Sequence, residues 1–282
     1  MQLICPLCRG LLSRDNNRFH CPVRHSFDVA RDGYIHLLPV QKKRSRVPGD
    51  DKMMVAARRR FLGGGHYQRL SDTVNRLAHQ RLSLPAPGRV AIVDAGCGEG
   101  YYGARLQEYL QGQGLDTDFI GVDISKFACR AAAKRNCSIE WLVASSSDIP
   151  VADQCADLVL CLFSPIQGPE FKRCLHSDGK LIVASTGPLH LLELRERLYD
   201  SVDTNTLDPT RALEEQFCEI PQSQIDIQYR FELRERDSIQ DLLAMTPHYW
   251  RAPAEKKDRL TRLSNLAVSV DIRLRCYSVR QD

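Results

Sequence analysis

The stretch that most constrains the fold of this chain is residues 90–100, Val-Ala-Ile-Val-Asp-Ala-Gly-Cys-Gly-Glu-Gly. The apolar, β-branched run predicts a buried parallel strand, and the glycines after it predict a tight turn that opens a helix. Gly96, Gly98 and Gly100 carry no Cβ atom, so a ligand is expected to approach the backbone of this turn closely. Asp94 lies where the strand ends. The sequence therefore predicts a ligand-binding edge of a parallel sheet.

The spacing of the glycines indicates which ligand this edge binds. A dinucleotide turn of the form G-x-G-x-x-G would need glycine at position 101, where the chain has Tyr101. A second apolar run ends on Asp123, near the roughly 20-residue spacing at which an acid accepts hydrogen bonds from a ribose. The pattern D-x-G-x-G-x-G is similar to the first motif of class I S-adenosylmethionine (SAM) methyltransferases. That similarity implies that Asp94 and the glycine turn hold the methionine part of SAM and Asp123 the ribose; a generic α/β turn is the alternative.

From Val90 onward, predicted strands and helices alternate, which is typical of an α/β fold with a doubly wound, mostly parallel, Rossmann-like sheet. Ligands bind beyond the carboxyl ends of such strands. We therefore expect the loop 145–150, with Asp148, beside the adenine, and Ser164, after the central strand 157–163, facing the same pocket. Two later alternating runs predict antiparallel strands that complete the sheet, at 225–233 and 268–276.

The first 25 residues have the spacing of a metal site. Cys5-Pro-Leu-Cys8 is followed after twelve residues by Cys21 and His25. Three thiolates and an imidazole close a tetrahedron around Zn²⁺, and a segment this short has too little core to fold without one. His20 is a rival fourth ligand, but Cys-x3-His leaves room for a turn, which favours His25. Four protein ligands predict one structural zinc per chain.

Composition bounds the class of protein. With 282 residues and 43% apolar content, the chain can bury one large core with a smaller module beside it. The longest apolar run, 158–163, is far too short for a membrane span, and the N-terminus lacks a basic-then-apolar export pattern. Most of the eleven cysteines are scattered singly. We expect a cytoplasmic protein with reduced cysteines.

The charge is divided unevenly along the chain. Residues 1–60 hold thirteen Lys/Arg and five Asp/Glu, a net charge of +8, although the whole chain carries only +4. Such an N-terminal excess favours contact with a polyanion. The predicted phosphate-backbone contacts are Lys42, Lys43, Arg44, Arg46 and Arg58–Arg60; a solvated connector is the alternative reading of this segment.

These sequence features divide the chain into three parts. A zinc-ribbon module is expected at residues 1–40, a basic linker at 41–65 and a SAM-dependent methyltransferase domain at 66–282. Helices are predicted at 52–61 and 66–82, on either side of a triple glycine.

An ordered set of motifs resembles one family, the bacterial large-subunit (23S) ribosomal RNA guanine-N1 methyltransferases. Besides the zinc knuckle and the SAM motif, the matching motifs are Gly33-Tyr34, Leu37-Leu38-Pro39, Lys43-Arg44-Ser45, Pro48-Gly49-Asp50, Ala57-Arg58-Arg59, Gly65-His66-Tyr67, Gly96-Cys-Gly-Glu-Gly-Tyr-Tyr102, Ala131–Arg135, Gly187-Pro188, His190-Leu191, Met245-Thr-Pro and Trp250-Arg251. The resemblance spans nearly the whole chain. It implies methyl transfer from SAM to N1 of a guanine in a 23S rRNA hairpin, and a homodimer.

The resemblance also implies roles for single residues. It makes Cys5, Cys8, Cys21 and His25 the zinc ligands, places Gly98 and Glu99 in the SAM turn, and makes Tyr67 and His190 further cofactor contacts. Spacing alone gives neither of the last two, which without the family read as packing and capping residues. Trp250 is expected to stack on the guanine or to lie in the core. The chain departs from some family members at Phe163–Pro165 and at Asp148.

Overall fold

The structure is a computed structural model that describes residues 1–43, 45, 48–82, 88–204 and 208–281. Two of the predicted phosphate contacts, Arg44 and Arg46, lie outside the described residues. Among the described helices, none has the length and apolar character that crossing a bilayer requires.

The elements alternate as the sequence predicts. The strands in the described residues are β1 (Ser13–Asp15), β2 (Arg18–His20), β3 (Ser26–Asp28), β4 (Ile35–His36), β5 (Gly88–Ala95), β6 (Leu115–Asp123), β7 (Glu140–Val143), β8 (Ala156–Leu162), β9 (Leu175–Thr186), β10 (Phe217–Glu219), β11 (Ile225–Leu233) and β12 (Leu266–Val279). The α-helices there are α1 (Lys52–Gly63), α2 (Gln68–Leu82), α3 (Tyr101–Gly112), α4 (Lys126–Arg135), α5 (Gly168–Cys174), α6 (Leu192–Leu198), α7 (Arg236–Ala244), α8 (His248–Arg251) and α9 (Ala254–Thr261). Two 3-10 helices lie at Val40–Lys42 and Pro209–Leu213.

One mixed sheet forms the centre of the molecule, in the order β10-β12-β9-β8-β5-β6-β7-β4, with β11 on β12. Strands from β9 to β4 are parallel to their neighbours, and β12 is antiparallel to β9, β10 and β11. The doubly wound, mostly parallel sheet is thus confirmed. The chain moves from β5 to β6 and β7 on one side and returns to β8 and β9 on the other. Ligands bind at such a reversal, so the carboxyl ends of β5 and β8 mark the site.

The zinc-ribbon module is joined to this sheet more closely than a separate domain would be. Strands β1, β2 and β3 form their own antiparallel sheet, but β4 pairs parallel with β7 and is the edge strand of the main sheet. Leu3 forms a bridge to Val151. Leu3, Phe19 and Leu37 lie in the same hydrophobic cluster as side chains of β5, β6 and β7. This burial anchors the module to one face of the sheet.

The basic linker is an ordered segment in its described part. At Gly49, with φ +77°, a Cβ atom would lie 2.8 Å from the Ile124 side chain, so the chain passes directly over the end of β6. Ser125 Oγ donates to the carbonyl of Asp50. Asp51 then caps α1, since its carboxylate accepts the N–H of Met54 at 2.9 Å. The linker is therefore laid across the carboxyl edge of the sheet.

Candidate functional site

The four predicted zinc ligands meet in one cluster. Their ligand atoms all lie within 4.8 Å of one another. Cys5 Sγ and Cys21 Sγ each lie 3.4 Å from His25 Nδ1, and Cys8 Sγ lies 3.5 Å from Cys21 Sγ. With Zn–S near 2.3 Å and Zn–N near 2.1 Å, a tetrahedron has edges of roughly 3.4–3.8 Å. The donor set and its spacing therefore fit a closed, structural zinc site.

The local geometry favours the thiolate form of Cys21 and shows which of the two histidines belongs to the cluster. Although burial opposes it, hydrogen bonds from Cys8 and from the backbone N–H groups of His25 and Val23 lower the pKa of Cys21 to about 7, and the thiolate is the form that binds zinc. His20 is exposed on β2 and lies outside the cluster.

The glycine turn after β5 has three residues in the left-handed region: Gly96 at φ +90°, Gly98 at +55° and Gly100 at +81°. A Cβ atom at Gly96 would lie 2.3 Å from Ser164 Cβ, and one at Gly100 would lie 2.9 Å from Ala132 Cβ. A Cβ atom at Gly98 would have only Arg58 Nη1 near it, at 3.8 Å. Two of the glycines are thus required by packing within the protein, and Gly98 alone leaves open space for a ligand.

The two strand-end acids both lie at this turn, Asp94 buried and Asp123 half-buried, and they differ in their partners. The Asp123 carboxylate accepts the N–H of Gly98 at 2.9 Å and the N–H of Ser125 at 2.8 Å. Asp94 is 2% exposed, and its Oδ1 has no hydrogen-bond partner among the described residues. Burial, reinforced by the charge of Asp123, raises the pKa of Asp94 to about 7. A buried carboxylate oxygen without a partner fits a site that receives a donor group from a ligand.

Glu99, the second residue that the family resemblance places in the SAM turn, is tied to α4. Its side chain is 1% exposed, and its Oε2 accepts from Nε and Nη2 of Arg135 at 2.9 and 2.5 Å. Burial raises the pKa of Glu99 against the opposing charge of Arg135. The ion pair fixes the turn against the C-terminal end of α4.

Tyr67 and His190 come together on the other side of the site. Tyr67 Oη lies 3.3 Å from His190 Nε2, and the Asp271 backbone N–H donates to His190 Nδ1 at 3.3 Å. Because Nδ1 accepts, Nε2 carries the proton of the neutral ring and donates to Tyr67. The Phe163 ring stacks on His190 at 6.4 Å between centroids and 18° between planes. Burial lowers the pKa of His190 to about 4, so the ring is neutral at pH 7.

Two of these contacts were not found from the sequence. The sequence placed Phe163 only at the end of the central strand 157–163, but its backbone has φ +58°, and its 43% exposed ring stacks on His190 and forms a wall of the site. Asp271 was missed. Its carboxylate accepts the N–H of Leu189 at 3.0 Å and so holds the loop that carries His190. The signal for it was an acid on the polar phase of an otherwise apolar strand, β12.

Asp148, predicted beside the adenine, lies in an ion-pair cluster with the N-terminal part of the chain. Its carboxylate accepts from Arg9 Nη1 at 3.0 Å and from Lys42 Nζ. Arg9 lies in the predicted zinc-ribbon module and Lys42 in the predicted basic linker. The loop after β7 is therefore a junction of all three predicted parts of the chain.

The predicted substrate contacts are placed in different surroundings. Trp250 is 63% exposed, with its indole N–H donating to Met54 Sδ at 3.1 Å, so it is not a core residue. Ser164 uses its hydroxyl to donate to the carbonyl of Ala95. Lys42 is exposed and Lys43 half-buried. Two arginines of α1 point to different partners. Arg60 pairs with Asp241 at 2.5 Å, whereas Arg58 faces the glycine turn.

The sheet order, the glycine turn at its reversal and the acids at the ends of β5 and β6 define a class I SAM-dependent methyltransferase with an N-terminal zinc ribbon. Two family comparisons agree with this class. Residues 92–178 match the family described as a methyltransferase domain, and residues 3–46 match the zinc-ribbon family described as RlmA, N-terminal.

Curated relatives identify the family. The chain is 32% identical over 276 residues, 95% of this chain and 94% of the relative, to YxjB of Bacillus subtilis (strain 168), whose name proposes a 23S rRNA (guanine-N(1)-)-methyltransferase. It is 34% identical over 197 residues, 70% of this chain and 67% of the relative, to the 23S rRNA (guanine(748)-N(1))-methyltransferase of Streptomyces fradiae. This chain belongs to the 23S rRNA (guanine-N1)-methyltransferase family.

Proposed function

We propose that this chain transfers a methyl group from SAM to N1 of a guanine in a 23S rRNA hairpin, and that it works as a homodimer. The observation that carries the proposal is that the zinc cluster and the glycine turn belong to one continuous structure. A zinc ribbon with the family's ligand spacing is built into the edge of the sheet whose reversal point carries the glycine turn. The names of relatives that are 32–34% identical support the same reaction.

In this proposal the residues around the turn hold the cofactor. Gly98 leaves space for the methionine part, and the unpartnered oxygen of Asp94 accepts from its ammonium group. Asp123 accepts from the ribose hydroxyls. Tyr67 and His190 form the opposite wall. Glu99 keeps the turn in place through Arg135. Asp148 lies in the loop beside the adenine and holds that loop in place through its ion pair with Lys42.

Bound SAM supplies a methyl group that is already electrophilic, so the protein needs no nucleophile of its own. What the chain contributes is alignment of the guanine, which is worth about 7–11 kcal/mol in well-oriented reactions. N1 carries a proton and lies on the pairing edge, so the guanine must leave its pair. His190 is not free to take that proton, because Nδ1 already accepts from Asp271 and Nε2 is protonated.

RNA binding is assigned to the basic N-terminal part. We propose that residues 1–40 recognise the hairpin, that Lys42, Lys43, Arg44 and Arg46 of the linker 41–65 contact its phosphates, and that the domain 66–282 methylates it. The net charge of +8 in residues 1–60 supports this division. Ser164 and the exposed Trp250 complete the guanine side, where an indole stacks on a base.

The test is methyl transfer from labelled SAM. The purified chain is incubated with 23S rRNA transcript, with a pool of small metabolites, or with no acceptor, and N1 methylation is read as a reverse-transcription stop at one guanine. We expect label only in the rRNA. Label in the metabolite pool would mean a small-molecule substrate, and SAM binding without any transfer would mean a non-catalytic adaptor. Sedimentation tests the homodimer.

A further inference from the structure

Arg58 occupies a position that its place in a basic run does not suggest. Its Nη1 lies 3.8 Å from where a Cβ atom would sit on Gly98, the one open position of the glycine turn. Its Nη2 donates to the carbonyl of Met245 at 3.0 Å, which ties the guanidinium to the end of α7. The side chain is only 27% exposed. A guanidinium held in this way is oriented before any ligand arrives.

The charge of Arg58 also reaches the other groups around the turn. Burial raises the pKa values of Asp123, Glu99 and Tyr102, and the charge of Arg58 lowers all three in opposition. Together with the approach of Nη1 to Gly98, this places the cation at the glycine turn.

The present partner of Arg58 indicates which group it binds. Arg58 Nη1 pairs with the carboxylate of Asp50, a residue of the segment that crosses the end of β6. A planar guanidinium binds carboxylates through paired N–H donors. The methionine part of SAM ends in an α-carboxylate beside an α-ammonium, and the turn offers an unpartnered acid, Asp94, for the cation. A second group is needed for the carboxylate.

We propose that Arg58 binds the α-carboxylate of SAM's methionine part and that the Asp50 carboxylate competes for the same guanidinium. This inference rests on the proposed function, since it names a further residue of the same cofactor site. It makes the basic linker part of the cofactor site, so that Arg58 serves the cofactor and the lysines of the linker serve the RNA.

The test compares SAM with decarboxylated SAM, which lacks only the carboxylate, by calorimetry on the full zinc-loaded chain. Arg58→Ala should weaken SAM binding roughly 10- to 100-fold, the range for a hydrogen bond to a charged group, and leave decarboxylated SAM nearly unchanged. Arg58→Lys should fall between, because it keeps the charge and loses the paired donors. Asp50→Asn should tighten SAM and not decarboxylated SAM, and it retains the backbone carbonyl that Ser125 binds.

Arg60→Ala is the matched control, since it removes another arginine and ion pair from α1 on the side facing α7; it should leave the affinity for both ligands unchanged. An equal loss of both ligands in the Arg58 variants, or unchanged SAM affinity in Asp50→Asn, would overturn the inference. If Arg58→Ala does not fold, Arg58→Lys and Asp50→Asn decide it. A wild-type chain that binds no SAM would instead overturn the proposed function itself.

Discussion

Tyr67 Oη lies 3.3 Å from Nε2 of His190, a residue 123 positions further along the chain. The contact joins the residue before α2 to the loop after β9, on opposite sides of the proposed cofactor site. It depends on Asp271, whose backbone N–H fixes the proton of His190 on Nε2. A single hydrogen bond therefore reports whether the two halves of the site are assembled.

The buried, neutral state of His190 predicts a pH dependence of stability. An unfolded histidine titrates near pH 6.5, whereas burial lowers the pKa of His190 to about 4 in the folded chain. Between these values only the unfolded chain binds the proton, so the free energy of unfolding falls as the pH drops through this window, by on the order of 1–3 kcal/mol. Urea unfolding near pH ~7 and pH ~5 measures this. His190→Asn, which does not titrate, should show a smaller loss; an equal loss in both would contradict the assignment.

The zinc cluster predicts different results for two histidines that are five residues apart. His25→Ala should lower the zinc content well below about one per chain, because a tetrahedral site loses a ligand. His20→Ala should leave it unchanged, since His20 is exposed outside the cluster. Metal analysis after dialysis separates them. Loss of zinc should also lower the unfolding temperature of the whole chain, because Leu3, Phe19 and Leu37 pack against the main sheet.

The glycines of the turn predict a separation of folding from cofactor binding. Gly96→Ala should lower the unfolding temperature strongly, because its Cβ atom would lie 2.3 Å from Ser164 Cβ. Gly98→Ala meets no close protein atom and carries only the cost of a left-handed backbone, about 1–2 kcal/mol. It should nevertheless weaken SAM binding more than its loss of stability explains. Thermal unfolding and SAM-binding calorimetry on both variants test this. The prediction fails if Gly98→Ala lowers SAM affinity no more than its loss of stability explains.

Asp123 should contribute to SAM binding through the ribose and through the turn. Asp123→Ala removes the acceptor for the N–H groups of Gly98 and Ser125 as well as the proposed ribose acceptor. We expect SAM affinity to fall by at least about 1–3 kcal/mol. Asp116→Ala, an exposed acid on the same strand, is the control and should bind SAM normally. Unchanged affinity in Asp123→Ala would restrict this acid to a structural role.

The basic linker predicts a salt effect on RNA binding. Replacing Lys42, Lys43, Arg44 and Arg46 with alanine should weaken binding to all RNA sequences alike and flatten the dependence on salt between about 50 and 200 mM. Filter binding over a salt series measures both. Trp250→Ala should instead lower turnover with little change in the salt slope, because a stacking contact carries no charge. Unchanged affinity and slope in the quadruple variant would leave the linker as a connector.

The part of the site that the sequence predicted is local in the chain. The zinc ligands fall within 25 residues, and Asp94 and the glycines lie within one turn, so spacing alone brings them together. Asp123 followed from the regular length of a strand-helix-strand unit. The spacing predicted ligand contact at all three glycines, but only Gly98 has open space in front of it. A glycine in the sequence does not show whether a ligand or a side chain such as Ser164 occupies the space next to it.

The rest depends on contacts between distant parts of the chain. Arg58 was one of seven predicted phosphate contacts, and only the packing of α1 shows that it faces Gly98 while Arg60 faces Asp241. Asp148 was assigned from the loop rule, which gives the edge of the sheet but not the partner that reaches that edge. Whether Trp250 lies in the core or is exposed for stacking depends on its burial in the folded chain. The sequence around it has no periodicity from which that burial could be predicted.

The pairing of β4 with β7 sets an order for biosynthesis. Once the first 25 residues leave the ribosome, the ribbon has every ligand it needs to take up zinc. Its docking partners arrive later; Arg9 and Asp148, for example, are 139 residues apart. At about 5–20 residues per second, the finished ribbon waits on the order of 10 s with Leu3 and Phe19 still uncovered. During that interval the nascent chain is a metal-bound knuckle with an unsatisfied apolar side, which is the stage at which a chaperone would find it.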